Sequence, residues 1–262
     1  PKNPPAHPSG LLGTRVGFVP APLNNPANEP THKAAHSPLR SLCDHPQLQA
    51  PIDAVLTKTA ATQRRPIILR RSAEISAEAL IRSALTAHRL YPTTATQQTC
   101  LSAYSLLTPS HILSTTTTFS RTPLQILLSA DTLLGGTGTP HVDATERIHA
   151  LSSLITHCHN SPADHAPVLA AIAHAEITNS NAFGPRSPLI GLLASRLVAT
   201  TFGLDPHALF VPELYWVRHR DELHQQIKDF NANPRGVITW VESSLQSWTV
   251  GAEEASGIIQ QF

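Results

Sequence analysis

Apolar residues recur at helical spacing over most of the chain after its first quarter. In the segment 73–90, Ile75, Leu80, Ile81 and Leu85 fall near one helical face. Acidic residues come early in this segment and basic residues late, which suits the dipole of a helix. The pattern therefore predicts a helix over 73–90.

The same periodicity, with N-cap and Gly stop signals, predicts a series of further helices. They are expected at 95–108, 122–134, 143–157, 163–178, 187–202 and 213–230, with two shorter helices at about 237–248 and 255–262. The segment 110–120 is β-branched and polar, so a loop, a short hairpin and a frayed helix all remain open there. Since no strand pairing is indicated, the sequence predicts an all-α helical bundle.

The first part of the chain differs from this bundle in composition. Residues 1–60 hold roughly half of the 23 prolines, and Pro blocks helices and removes a backbone donor. The sequence therefore predicts a Pro-rich N-terminal extension over 1–60 and one helical domain over 61–262. Apolar residues such as Phe18 leave open whether part of the extension packs on that domain.

Composition narrows the classes of partner. The chain has 262 residues, 41% of them apolar, which is enough for a real core. The net charge is +1 and 14% of residues are charged, so no basic surface for nucleic acid or anionic lipid is indicated. No segment is apolar over the roughly eighteen residues of a membrane span, and no signal peptide pattern opens the chain. We expect neither nucleic acid nor membrane as a partner, and a cytoplasmic location.

The cysteines and histidines give little support to a metal site. Cys43 and Cys100 are isolated in sequence, so they are expected to be thiols in a reducing compartment. Cys158 lies between His157 and His159, with further donors at Asp164 and His165. We interpret this group as a polar helix end rather than a metal site, because neighbouring helical residues point in different directions.

The segment 174–212 combines a helix with one His, a polar loop and a Gly/Leu-rich helix. In these features it resembles the core of the Fic (Fido) domain. There the helical His is followed, seven residues later, by a loop of the type His-Pro-Phe-x-Asp/Glu-Gly-Asn-Gly-Arg. In ungapped register His174 takes the helix position and Asn181 that of the loop His, while Phe183 keeps the Phe and Gly191 fits the second helix. The match covers about forty residues.

The loop departs from the Fic pattern where the pattern carries chemistry. Pro185 stands at the position of the acidic residue, and Arg186, Ser187, Pro188 and Leu189 stand in place of Gly-Asn-Gly-Arg. In Fic enzymes the acidic residue holds Mg²⁺, and the Gly-rich loop with its Arg surrounds the phosphates of ATP. The resemblance therefore implies a Fic/Fido-like bundle whose metal and phosphate sites are incomplete.

The position of the catalytic base is also altered. In the family the loop His takes the proton from the target hydroxyl, and a general base typically contributes about 10²–10⁴ in rate. Asn181 cannot accept a proton at neutral pH. The helical His174 could replace it as a base, but a core histidine is the simpler interpretation. AMP transfer by the family mechanism is therefore not expected.

Some polar groups of the loop remain as candidates for ligand binding. Gly184, Arg186, Ser187 and the free amides that begin the Leu189 helix could form a phosphate or carboxylate pocket. The other interpretation is that Ser187 is an N-cap and Arg186 a solvated loop residue. ATP with Mg²⁺ is thus a candidate ligand, and no metal ligand is identified.

Three functions are compatible with these residues. The first is a catalytically degenerate Fic-like protein that binds a protein partner, or a nucleotide, through the former nucleotide cleft. The alternative is a nucleotidyltransferase with a non-standard residue set, in which His174 or another His is the base and Arg186 anchors phosphate. The third is an interaction module that docks through residues 1–60. Motifs of serine hydrolases, P-loop proteins and HExxH metalloproteases do not occur in the chain.

Overall fold

A computed structural model of the chain describes residues 39–159 and 165–262. Every regular element in these residues is helical and no strand occurs among them, which confirms the all-α prediction. In chain order the α-helices of the described residues are α1 Arg40–Cys43, α2 Pro46–Gln63, α3 Ile68–Leu90, α4 Gln97–Tyr104, α5 Ile112–Arg121, α6 Pro123–Leu133, α7 Thr145–Cys158, α8 Ala166–Ser180, α9 Ser187–Thr201, α10 Glu213–Arg218, α11 Arg220–Phe230 and α12 Pro234–Ile259.

The α8 and α9 pair forms the centre of the bundle, and most residues of α8 and nearly every residue of α9 are buried. The two backbones approach closely at Gly191. A Cβ added there would lie 2.5 Å from Thr178 Oγ1 and 2.8 Å from the carbonyl oxygen of His174. This crossing holds the loop between the two helices in a fixed position. Although α8 and α9 are apolar, none of the helices in the described residues has both the length and the hydropathy to cross a bilayer.

The helical body begins earlier in the chain than the sequence predicts. α2 opens with Pro46 in its first turn, where no backbone N–H is needed, and Val55 is fully buried. α2 packs against α12. The segment 1–60, predicted to be an extension, therefore contributes 39–60 to the body, and its remainder, 1–38, lies outside the described residues.

α3 contains the helix predicted over 73–90, but one of its proposed inward residues faces solvent. Ile75 and Leu80 are buried, whereas Ile81 is 46% exposed. At roughly 100° per residue, the buried residues Ala79, Leu80 and Ser83 lie within about 60° of Ser76 around the helix, whereas Ile81 lies about 140° from it. The prediction that Ile81 lies near the buried face is therefore wrong.

The undecided segment 110–120 forms α5. Phe119 is fully buried on one face of this helix. The hydroxyl of Thr116 donates to the carbonyl oxygen of Ile112 at 2.8 Å, and other hydroxyls of α5 bond back to the preceding turn in the same way. These bonds satisfy the many side-chain hydroxyls of a Thr-rich helix without breaking it.

Two predicted boundaries near the end of the chain differ from the structure. The helix predicted over 213–230 is split into α10 and α11 at His219, which has φ −121° and ψ 40°. The His219 ring stacks on Tyr215, and its Nδ1 lies 2.8 Å from the Tyr215 carbonyl oxygen, which also accepts the backbone N–H of His219 at 3.1 Å.

The two short helices predicted after residue 236 are a single helix, α12, of 26 residues. Gly251 lies at the point where α12 passes the backbone that leads into α10. A Cβ added there would lie 2.7 Å from the nitrogen of Pro212. Gly251 therefore marks a close backbone contact within one helix, not a boundary between two.

Candidate functional site

The loop between α8 and α9 follows Asn181, the residue that the sequence resemblance aligns with the Fic loop His. Asn181 ends α8 in the left-handed conformation, with φ 50° and ψ 29°, and it is exposed. Asn tolerates this conformation better than most residues with a side chain. Pro185, which the resemblance aligns with the metal-binding acidic residue, is exposed in the 3-10 turn Gly184–Arg186. Both residues therefore shape the loop at its surface.

Arg186 is paired with a buried carboxylate. Its Nε lies 2.6 Å from Oδ1 of Asp131, which is fully buried near the end of α6. The other oxygen of Asp131 accepts the backbone N–H of Gly138 at 2.9 Å, and Gly136 packs so closely on the carboxylate that a Cβ there would clash. Arg186 is thus neither a solvated residue nor an unengaged anion ligand.

Ser187 is engaged within the loop as well. It is fully buried, and its Oγ accepts the backbone N–H of Phe183 at 2.9 Å. α9 begins at Ser187 itself, so the predicted N-cap role is replaced by this closure of the loop. The side chains of Phe183 and Leu189 are buried in the core. Among the predicted anion-binding groups, the two side chains, Arg186 and Ser187, therefore already have partners.

A second loop, which the sequence did not point to, lies against the first. The backbone N–H of His141 donates to the carbonyl oxygen of Ala182 at 2.8 Å. A Cβ added to Gly184 would lie 3.3 Å from Nε2 of His141. His141 is exposed, and the adjacent Val142 is 87% exposed. We refer to the exposed residues His141, Val142, Asn181 and Pro185 as the loop face.

His174 lies in an aromatic core and not at this face. It is 1% exposed, and its ring contacts Trp240 and Trp216 edge-on at centroid distances of 5.0 and 6.2 Å. The two indoles stack on each other, and Nε1 of Trp240 donates to the Ala171 carbonyl oxygen at 2.8 Å. Burial lowers the pKa of His174 to about 3, so the ring is neutral at pH 7.

A cluster of buried charged groups lies further along α9. Nη1 of Arg196 donates to Ser83 Oγ at 2.6 Å and lies 3.3 Å from Oε2 of Glu213. Nη2 of Arg196 donates to the Ala208 carbonyl oxygen at 3.3 Å and lies 3.7 Å from Oδ2 of Asp205. The side chains of the arginine and of both acids are fully buried.

The two acids of this cluster are held by further donors. The Tyr104 hydroxyl donates to Glu213 Oε1 at 2.8 Å, and the oxygens of Asp205 accept the backbone N–H groups of Leu209 and Phe210 at 2.8 and 3.0 Å. Burial raises the pKa of Asp205, and the charge of the neighbouring arginine opposes that shift. Arg196, Glu213, Asp205, Tyr104 and Ser83 form what we call the Arg196 cluster. Since solvent does not reach it, its role is to fix the segment between α9 and α10.

The histidines near the end of α7 do not converge. His157 and His159 are exposed, whereas Cys158 between them is buried, so the three side chains point in different directions. Within the described residues, no group of three metal-ligating side chains is arranged to hold an ion. Asp164 lies outside those residues.

The sequence contained a signal for two buried charged groups, Arg196 and Asp131, that were not predicted as such. Arg196 is a lone charge in the apolar segment 189–202, and Asp131 is a lone acid in the apolar segment 124–134. A single charge within an apolar helix indicates a buried partner, because an isolated charge is rarely buried. His141 has no such signal, because the approach of its loop to residue 182 is a tertiary contact.

Known proteins do not assign this chain to a family. No protein-family model matches it, and no curated protein matches it. The function of the loop therefore has to be inferred from its own geometry and charges.

Proposed function

We propose that this protein is a non-catalytic binding or regulatory protein with a Fic-like helical body, and that a protein partner contacts its loop face. In this proposal the face takes the place of the nucleotide cleft that the Fic resemblance implies. The observation that carries the proposal is the ion pair between Arg186 and Asp131. This ion pair already engages Arg186, the only cation of the loop that the resemblance suggests as a phosphate ligand.

The ion pair argues against a nucleotide at this loop. A phosphate that approached Arg186 would compete with a carboxylate 2.6 Å away. If the phosphate displaced Asp131, a fully buried carboxylate would lose its charged partner, which is strongly unfavourable. If it did not, the two anions would repel each other across the same guanidinium.

The surroundings of His174 argue against its use as a base. A general base must lie within hydrogen-bond reach of the proton that it takes, directly or through one water. His174 is 1% exposed among indole rings, while Asn181 and Pro185 of the loop are exposed. A substrate hydroxyl bound at the loop face would not reach this imidazole.

The loop face itself suits a partner protein. Val142 and Pro185 present apolar surface, and Asn181 and His141 add hydrogen-bonding groups beside it. The close crossing at Gly191 and the loop-to-loop hydrogen bond keep these residues in place. A rigid exposed surface of this composition is typical of binding loops, since little ordering entropy is lost on contact.

Site-specific photo-cross-linking in cells of the natural host tests this proposal. The cross-linking residue replaces Val142 in one variant and Leu69 on α3, which is 89% exposed, in the control. We expect one discrete adduct from position 142 that is absent at position 69 and is weakened by Pro185→Asp. Equal adducts from both positions, or none from position 142, would contradict a partner at the loop face.

Labelling with ATP distinguishes the alternative, a transferase with a non-standard residue set. That enzyme would transfer a labelled nucleotide to itself or to another protein, and His174→Leu or Arg186→Ala would abolish the transfer. We expect no labelling by the purified wild-type chain with Mg²⁺. Labelling that both variants abolish would reject the non-catalytic proposal.

A further inference from the structure

The turn between α2 and α3 carries a local excess of positive charge. The segment 54–73 contains no acidic residue and five cationic ones, which are Lys58, Arg64, Arg65, Arg70 and Arg71. The four arginines lie within the eight residues 64–71 that form the turn and the start of α3. The net charge of +1, on which the expectation of no membrane partner depends, averages over the whole chain and hides this excess.

Two of the five cations already have acidic partners. Nζ of Lys58 lies 3.2 Å from Oε1 of Glu253, and Nε of Arg71 lies 3.6 Å from Oε1 of Glu74. Among the described residues, no acidic side chain forms an ion pair with the other three, which are Arg64, Arg65 and Arg70. Arg64 and Arg70 are exposed and Arg65 is half-buried, so their charges are available to a partner.

An aliphatic side chain stands among these arginines and faces solvent. Leu69 is 89% exposed, the highest value for a large apolar side chain in the described residues. The turn beneath it is anchored, because Ile68 is 2% exposed and the backbone N–H of Arg70 donates to the carbonyl oxygen of Ile67 at 3.1 Å. The arginine tip is the name that we give to the set Arg64, Arg65, Pro66, Leu69 and Arg70.

The stability of the fold accounts for only part of the arginine tip. Arg64 and Arg65 follow the end of α2, where cations suit the helix dipole. Arg70 lies in the first turn of α3, where the dipole favours acidic residues and none is present. Leu69 leaves most of its surface in water and so contributes little to the core. The positions of Leu69 and Arg70 therefore indicate a contact outside the molecule.

The combination of cations with a protruding leucine discriminates between anionic partners. Single-stranded nucleic acid is usually held by cations together with aromatic side chains that stack on bases, and residues 64–71 include no aromatic residue. An anionic bilayer surface suits both features of the tip. Its headgroups carry phosphate and carboxylate groups that guanidinium groups bind, and hydrocarbon lies just below them for Leu69.

We propose that the arginine tip docks the protein on the surface of a membrane that contains anionic lipids. Arg64, Arg65 and Arg70 bind headgroups, and Leu69 enters the boundary between headgroups and acyl chains. This site shares no residue with the loop face and is independent of the partner proposed there. The cross-linking control at position 69 stays valid, because a lipid contact gives no protein adduct.

Co-sedimentation of the full chain with lipid vesicles tests the proposal. Vesicles of phosphatidylcholine with about 30% phosphatidylserine are compared with vesicles of phosphatidylcholine alone. We expect binding to the anionic vesicles only, with a midpoint below about 1 mM lipid, and release when the salt is raised from about 0.1 M to about 0.5 M. Binding that is equal on both kinds of vesicle, or absent at several millimolar anionic lipid, would overturn the proposal.

Substitution of the three arginines measures the electrostatic part of the binding. The triple variant Arg64→Gln, Arg65→Gln, Arg70→Gln should bind anionic vesicles about 100-fold more weakly, since each cation near the surface contributes about fivefold. Arg121→Gln, which removes an exposed arginine of α5, is the control and should bind like the wild type. Wild-type binding by the triple variant would show that another surface meets the lipid.

Substitution of the leucine decides whether the partner is a lipid surface. Leu69→Gln should weaken binding by about fivefold or more, because apolar area no longer leaves water. Leu113→Gln on α5, where Leu113 is 78% exposed, should have no effect. Unchanged binding by Leu69→Gln would mean attraction to negative charge alone, and a discrete protein adduct at position 69 would mean a protein partner. Either result would overturn the assignment to lipid.

Discussion

The loop between α8 and α9 and the Arg196 cluster each contain one arginine, Arg186 and Arg196, and the two arginines differ in how deeply they are buried. The side chain of Arg186 is 25% exposed and pairs with one buried acid. The side chain of Arg196 is fully buried and meets two acids, a serine and a carbonyl oxygen. The comparison shows that a cation in a motif position is not by itself a ligand site. Its existing partners decide whether it can bind anything else.

Removal of each guanidinium group in a separate variant should give the largest difference in unfolding free energy between the two regions. Arg196→Ala leaves Glu213 buried without its charged partner, which is expected to destabilise the fold by about 3–5 kcal/mol. Arg186→Ala should have a smaller effect, about 2–3 kcal/mol, because it leaves one buried acid without a charged partner instead of two, and Asp131 keeps its bond to Gly138. Urea unfolding of both variants measures the difference. An equal or larger effect at Arg186 would contradict the contrast in depth.

The pH dependence of stability extends the comparison to a buried polar group without a charged partner. The pKa of His174 is lowered to about 3, below the roughly 6.5 expected in the unfolded chain. Below pH 6.5 the unfolded state therefore takes up a proton that the folded state does not bind. Stability should fall as the pH falls from about 6.5 toward 3, with roughly 2–3 kcal/mol lost by pH 4.5.

The variant His174→Leu isolates this contribution. It should lose less stability than the wild type between pH 6.5 and 4.5, as measured by urea unfolding at several pH values. His149→Leu, which changes an exposed histidine on α7, is the matched control and should follow the wild-type curve. If His174→Leu also follows that curve, the imidazole is not buried in its neutral form.

Two glycines test whether the α8 and α9 crossing fixes the loop face. Gly191→Ala places a Cβ 2.5 Å from Thr178 Oγ1 and 2.8 Å from a backbone oxygen, and should destabilise by about 1–3 kcal/mol. Gly257→Ala in α12 meets no atom within 4 Å, and should stabilise by about 0.5–1 kcal/mol. Thermal unfolding compares the two. A neutral Gly191→Ala would show that the crossing is looser than described.

Much of the helical framework could be predicted from the sequence, because burial repeats at helical spacing in α3, α6 and α7 and because the central helices α8 and α9 are apolar along most of their length. Errors arose at helix boundaries. The two helices predicted after residue 236 are one, and its Gly251 lets α12 pass close to Pro212. His219 gave no stop signal, but its non-helical backbone divides a predicted helix.

The candidate site was less predictable than the fold. The sequence supplied the positions Asn181, Pro185 and Arg186, and it predicted no base or metal ligand at the first two. It could not supply Asp131, which lies 55 residues from Arg186 in the chain, or the approach of His141 to Ala182. Such pairings depend on helix packing and leave no local pattern.

Calorimetric titration with ATP and Mg²⁺ tests the central claim most directly. The claim is that the cation of the loop, Arg186, is already paired with Asp131 within the protein. With Arg186 held by Asp131, we predict no binding heat at millimolar nucleotide for the wild type, and the same result for Arg186→Ala. Saturable binding by the wild type that Arg186→Ala abolishes would show that the arginine is available to phosphate, and would contradict the account.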